Sequence, residues 1–265
     1  LAWLHIFYKS ARDGDLRMGQ VVFIAGPPES GKTFLSNKLM SDLMGGNQGA
    51  TGFITGQDNF NKSLFDTALW TIDDAVATSD YRTREKYFQM VKQVAANEDI
   101  DYRRKYVDGF SMQWKGRLIV TMNDDGGSLN MLPPMDPSIE DKVNLYKVSK
   151  VGVDWSALKK SLPVELPYLA GYLLQYNVPL KLKGTERFQV VHYHHPELLE
   201  EAVSARSTSE LELLLERWRR DLFRNPGNLD QFWKGSAGEL YNMANGEKRE
   251  MELCGIKCYR SLGRH

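Results

Sequence analysis

Apolar residues along this chain keep two periods. Val21–Ala25 is an unbroken, β-favouring run, the pattern of a strand buried on both faces. Further strand candidates recur at Thr51–Thr55, Ala68–Ile72, Arg117–Thr121 and Val143–Val148. Between them the apolar positions take helical spacing, over residues 1–12, over Gly31–Met44 up to Gly45-Gly46, and over Thr83–Ala96. Strands alternating with helices predict a parallel sheet covered by helices on both faces. Two alternating runs, Ile100–Tyr106 and Phe110–Trp114, flank Val107-Asp108-Gly109, which predicts a hairpin turning at the Asp-Gly. Asp124–Pro137 holds Gly-Gly and Pro-Pro and reads as loop.

The character changes after about residue 150. Pro163–Tyr176 has an apolar helical pattern. Ser207 to Glu210 is a capping box, with Leu211, Leu214, Leu215, Trp218 and Leu222 following at helical spacing. Further helices are predicted at Ser236–Ala244 and Glu247–Leu262. The expected organisation is an α/β domain over 1–150 and a smaller helical region over 151–265.

Composition narrows this picture only a little. The 265 residues, 42% hydrophobic, suffice for one large domain or a core with an appendage. The formal net charge is zero, so any nucleic-acid surface must come from local clustering. Two cysteines, Cys254 and Cys258, exclude a disulfide framework and fit a reducing compartment. Their CxxxC spacing offers half a metal site with no second cysteine pair. No run approaches the length of a membrane-spanning helix, and no signal-peptide pattern opens the chain. A cytoplasmic location is expected, the host's cytoplasm if the protein is viral. The start at Leu1, without Met, leads us to expect a piece of a longer polypeptide.

The chemistry begins where the first strand stops. Gly26-Pro27-Pro28-Glu29-Ser30-Gly31-Lys32-Thr33 fits GxxxxGK[ST] between a predicted strand and a predicted helix. Glycines let such a loop turn tightly, so several backbone N–H groups face one point at a helix N-terminus. Lys32 would reach the β- and γ-phosphates of ATP, and Thr33 would hold Mg²⁺. The next element, ALWTIDDAV, ends a strand in Asp73 and Asp74. One carboxylate would serve Mg²⁺ and the other the attacking water, with Asp73 favoured for the metal. An N-cap pair for the following helix is the other reading of these acids. RLIVTMN then ends a strand in Asn123, whose amide can donate to phosphate and orient water.

A phosphate loop, a strand ending in two acids, a hairpin and a strand ending in Asn, in this order, resemble a superfamily 3 helicase of the AAA+ type. The IDDA and IVTMN stretches are similar to those of papillomavirus and parvovirus replication helicases. The whole chain is more similar still to the C-terminal part of phage and plasmid primase-helicases, through RFQVVHYHHPEL, SELELLLERWRRDLF and FWKGSAGELYNMA. The resemblance implies a P-loop ATPase followed by a winged-helix-like region. It also implies a ring, commonly a hexamer, with ATP between subunits and single-stranded DNA in the pore. A primase or polymerase domain upstream would fit, as would 3′ to 5′ movement.

Residues 81–120 carry nine Lys or Arg against five Asp or Glu, a basic island in a neutral chain. The resemblance places a DNA-contacting cation on the hairpin, at Lys105 with Arg103 and Arg104 beside it. Tyr106, with Tyr102 and Phe110, could stack on bases. Charged residues on an exposed hairpin are equally ordinary without DNA. The family's neighbour-supplied arginine has Lys142 at the equivalent place, in IEDKVNLYKV; lysine keeps the charge and loses the planar fork. His192 and His194 alternate onto one face, without an evident acidic partner, and read as a polar edge.

The reading is an ATP-driven DNA helicase or translocase. Two alternatives stand beside it. One is a nucleotide-gated DNA-binding or assembly module with weak turnover, supported by Lys142. The other is a P-loop small-molecule kinase, which would need an arginine-rich lid and an acceptor pocket.

Overall fold

The structure, a computed structural model, describes residues 1–15, 17–58, 60–73, 81–96, 99–114, 116–204, 236 and 239. Five strands form one parallel sheet: β1 (Val21–Ala25), β2 (Gln48–Gly49), β3 (Leu69–Ile72), β6 (Arg117–Met122) and β7 (Val143–Lys147), in the order β2-β3-β6-β1-β7. Two more, β4 (Asp99–Arg104) and β5 (Val107–Gln113), make a separate antiparallel hairpin. With helices flanking the sheet, this is a P-loop NTPase-like α/β fold.

Why the core runs are continuous is visible in β1. Its alternate residues enter two different cores, one on each face of the sheet. Val21, Phe23 and Ala25 pack with Val120, Met122, Tyr87 and Val91, the last two from the helix Tyr81–Ala96. Val22 and Ile24 pack on the opposite side with Phe7 of the helix Ala2–Arg12, Met40 of the helix after the loop, Leu69 and Ile119. A polar residue at any β1 position would face one of these cores. Burying Phe23 completely is worth about 2–3 kcal/mol.

The loop is followed by a continuous helical stretch: Lys32–Phe34, a π-helical Leu35–Met40, and Ser41–Met44. Gly45, at φ 78°, ends it, and the Gly46 amide donates to the Ser41 carbonyl at 2.8 Å.

Several local expectations change. Thr51–Thr55 is not a strand: Thr51–Ile54 is a helical turn, and the strand is the preceding pair Gln48–Gly49, in register with Trp70 and Thr71. The hairpin turns at Lys105–Tyr106, with Tyr106 at φ 62°, and Asp108-Gly109 lies inside β5. Register there is set by side chains rather than by the Asp-Gly, because Tyr102 opposes Phe110 with ring centroids 4.8 Å apart. The loop after Asn123 contains a short helix, Gly126–Leu129, whose Asp125 cap accepts from the Ser128 amide at 3.0 Å.

The helix expected from Pro163 starts earlier and runs over Trp155–Gln175, capped by Asp154, which accepts from the Ser156 and Ala157 amides. Pro163 and Pro167 lie within it on its exposed face, where water can serve the carbonyls they leave unpaired.

The chain divides into two compact units, Leu1–Ala202 and Val203–His265. The division expected near residue 150 falls inside the first unit. His5 there contacts the Leu173 carbonyl at 2.5 Å. Residues 193–195 also run along the outer edge of β7: the Leu145 amide donates to the Tyr193 carbonyl and the His195 amide to the Leu145 carbonyl. A helix beginning at residue 196 adds Leu198 and Ala202 to the core.

Of the second unit, residues 203, 204, 236 and 239 are described. The Ser236 amide donates to the Glu239 carboxylate at 2.7 Å and the Glu239 amide to the Ser236 hydroxyl at 3.2 Å, a capping box where a helix start is expected. The capping box at Ser207, the remainder of the predicted helices, and Cys254 and Cys258 lie outside the described residues. Among the described residues, no helix is long and apolar enough to cross a membrane.

Candidate functional site: a phosphate loop at the sheet edge

In a parallel sheet every strand ends at the same edge, so whatever follows neighbouring strands is brought together there. Here β6 lies between β1 and β3. The loop after β1, Asp73 after β3 and Asn123 after β6 therefore meet.

The loop is held in a single shape. The Gly26 amide donates to the Met122 carbonyl at 3.3 Å. Lys32 is buried, and its ammonium donates to the carbonyls of Gly26 at 2.7 Å and Pro27 at 2.8 Å. It also lies 3.4 Å from the Ser30 hydroxyl and 3.4 Å from Asn123 Oδ1. Glu29 (φ 64°) and Gly31 (φ 85°) are left-handed, which turns the loop back into its helix. A Cβ on Gly31 would lie 2.2 Å from the Trp155 ring, so this position needs glycine for space as well as for φ.

Asp73 is fixed by three side chains. Its Oδ1 accepts from the Thr33 hydroxyl at 3.0 Å and the Thr121 hydroxyl at 2.5 Å, and its Oδ2 accepts from the Asn37 amide at 3.3 Å. Three donors on one carboxylate define its rotamer before any ligand arrives. Asp74 lies outside the described residues.

Beside the loop is a cavity of about 600 Å³, within the range of small-molecule sites. Pro28, Thr33 and Asn123 line it on the loop side, and Lys150, Val151 and Trp155 on the other. Trp155 packs against Phe34 with ring centroids 5.6 Å apart.

Lys142 is at the other end of the sheet. It precedes β7, which begins opposite Val21 and ends opposite Ala25. A strand of five residues at about 3.3 Å each separates it from its own loop by roughly 16 Å. Its ammonium pairs with Asp141 at 2.8 Å. It is therefore out of reach of the loop of its own chain.

Arg103, Arg104, Lys105 and Tyr106 are all exposed, and Tyr106 fully so. Arg103 pairs with Asp101 at 3.2 Å, and the Lys105 ammonium sits 6.0 Å from the Phe60 ring centre. The buried Asn61 ties the hairpin to the body. It accepts from the Arg103 amide at 2.8 Å, and its side-chain amide donates to the Asp101 carbonyl at 2.6 Å. Trp70 of β3 stacks on Trp114 at 3.8 Å, and Phe65 bridges Trp70 to Tyr102.

Sequence reasoning missed Asn37, Asn61, Thr121 and Trp155. Thr121 stood inside the quoted IVTMN run, and only strand register aims it at Asp73. Asn37 follows the loop in the same helical stretch, and Asn61 and Trp155 come from segments distant in sequence; none has a motif of its own. The histidine pair does have an acidic neighbour: Glu140 brings a donor atom close to donors of His192 and His194.

A family model described as a family of unknown function (DUF5906) matches residues 24–136, which covers the loop, Asp73, the hairpin and Asn123. No curated protein matches the sequence. Among solved structures, the apo NrS-1 C-terminal region is similar at a TM-score of 0.60 and 15% identity, over 99% of this chain and 64% of that one. An A-form apo structure of the same region gives 0.56 and 12%, over 95% and 60%. The chain thus spans less than two thirds of these relatives' length. JCV helicase is more distant, with a TM-score of 0.43 at 16% identity over 79% of this chain and 56% of that one. At these identities the likeness concerns the fold.

Proposed function

We propose that this chain is the ATPase motor of a DNA helicase or translocase, coupling ATP hydrolysis to movement on single-stranded DNA. The observation that carries the reading is the convergence of three separate motifs at one sheet edge: Thr33 bonded to Asp73, and Lys32 within reach of Asn123. Nothing in the packing of a core requires a buried lysine, an aspartate and an asparagine to gather around an open cavity.

The residues fit Mg²⁺–ATP. A carboxylate already bonded to a loop hydroxyl is a hard oxygen pair, so Thr33 and Asp73 would hold the cation. Mg²⁺, when bound, neutralises charge on the β- and γ-phosphate oxygens. The Lys32 ammonium can exchange the Gly26 and Pro27 carbonyls for phosphate oxygens without leaving its place. Asn123 would donate to the γ-phosphate or orient water. Asp74, next to Asp73 in sequence, is assigned to polarising the attacking water. Lys142 acts, in this reading, on the nucleotide of a neighbouring subunit, which makes a ring, commonly of six copies, part of the proposal. Arg103, Arg104, Lys105 and Tyr106 contact the DNA, lysine and arginine binding phosphate without reading sequence.

ATPase activity measured with and without single-stranded DNA tests this. Turnover stimulated by DNA is the expected result, and Lys32→Ala should abolish tight ATP binding. Retained binding without turnover would point to a nucleotide-gated module. Phosphate transfer to a small acceptor would point to a kinase. ATP affinity unchanged by Lys32→Ala would remove the central assignment.

A further inference from the structure

We propose that Glu140, His192 and His194 form a site for a divalent transition metal of the zinc type, separate from the nucleotide site. One donor atom from each residue lies within 4.8 Å of the other two. A tetrahedral ion with ligands at about 2.0–2.2 Å would hold them roughly 3.3 Å apart, so the three must close by no more than about 1.5 Å.

The donors stand on a fixed frame. The Glu140 amide donates to the Asp136 carbonyl at 3.0 Å and the Lys142 amide to the Ile139 carbonyl at 2.8 Å, which holds the turn entering β7. His194 forms a parallel bridge with Leu145 on the edge of β7, and the Tyr193 amide donates to Asn144 Oδ1 at 2.7 Å. Alternation along that edge puts His192 and His194 on one face, their rings stacked with centroids 4.7 Å apart.

The surroundings favour ligation. The His194 Nε2 lies 3.1 Å from the Val143 carbonyl, a contact that orients the ring. The nearest cation in sequence, Lys142, pairs with Asp141. Two imidazoles and a carboxylate select zinc, cobalt, nickel or copper over magnesium, and three protein ligands leave one position for water. An ion here would clip the turn that carries Lys142 to the segment covering β7.

The test is titration of the chelator-stripped, nucleotide-free chain with Co²⁺, followed by visible absorption, and then displacement by Zn²⁺. Saturation near one equivalent is expected, with a spectrum lacking thiolate charge transfer, and with a thermal midpoint raised by Zn²⁺ and not by Mg²⁺. Glu140 is exposed, so Glu140→Gln should fold normally and weaken binding about tenfold or more. His192→Ala should weaken it further, and a Cys254→Ser, Cys258→Ser chain should bind as before. Affinity unchanged in Glu140→Gln and His192→Ala, binding lost with the cysteines, or no saturable binding would each overturn the proposal.

Discussion

Gly31→Ala tests the loop geometry most directly, because the structure separates its cost into two parts. The first is backbone strain. At φ 85° an alanine costs about 1–2 kcal/mol relative to glycine. The second is collision, since the new Cβ would sit 2.2 Å from the Trp155 ring. Trp155 must then leave Phe34, which forfeits an aromatic contact worth about 0.5–1.5 kcal/mol. Where the loss appears depends on the loop. If it keeps its shape without nucleotide, the strain lowers folding stability. If it relaxes, the same strain lowers ATP affinity, by about five- to thirtyfold for 1–2 kcal/mol. The sum of the two losses is therefore the quantity to measure, by urea unfolding and ATP titration on the same samples. Trp155→Leu in the Gly31→Ala background should recover the collision and leave the strain, giving a coupling of about 0.5–1.5 kcal/mol. Strict additivity of the two substitutions, or a Gly31→Ala chain unchanged in both stability and affinity, would refute the reasoning.

Lys105→Ala should leave basal ATPase near normal and abolish DNA stimulation; removing one phosphate contact should also lower the slope of log affinity against log salt by about 0.7 for single strands. An unchanged slope would show that Lys105 touches no phosphate. Asn61→Ala takes partners from the Arg103 amide and the Asp101 carbonyl, so a stability loss of about 1–3 kcal/mol is expected, with DNA stimulation falling more than basal ATPase. Equal losses in both activities would mean that Asn61 does not act through the hairpin. Asp136 is held below the ordinary carboxylate range: burial works against this, and the Ser138 hydroxyl and amide and Lys92 outweigh it. Its contribution is therefore complete above the usual aspartate value of about 4 and is lost as pH falls through its own lower one. Asp136→Asn should flatten the acid limb of a stability–pH curve; an unaltered limb would dismiss the effect.

The elements that were legible in the sequence share a cause. β1, β3, β6 and β7 are buried on both faces at most positions, so each reads as an apolar run. β2 is two residues, Gln48 and Gly49, and two residues carry no period. The apolar run after it was misread because four helical residues around a buried Ile54 look like a short strand. Asp108-Gly109 misled for a different reason: turn chemistry is a local preference, and the Tyr102–Phe110 pairing and Asn61 outweigh it.

The candidate site follows the same logic, and from it the division of labour in the sheet can be argued. A residue just past the end of a parallel strand must reach the ligand edge, so Gly26, Asp73 and Asn123 could be picked by where apolar runs stop. Thr121 could not, because its role depends on which strands are neighbours: Ile72 pairs with Val120, and that register sets the next hydroxyl against Asp73. Residues just before a strand reach the opposite edge. Glu140 and Lys142 both precede β7, so neither can take part in chemistry at the loop of its own chain. Two functional claims made for that edge, a trans-acting lysine and a metal clip, therefore stand apart from the loop in geometry as well as in test. Substitutions at Glu140 should leave ATP binding by the isolated chain untouched, whatever they do to an assembled ring.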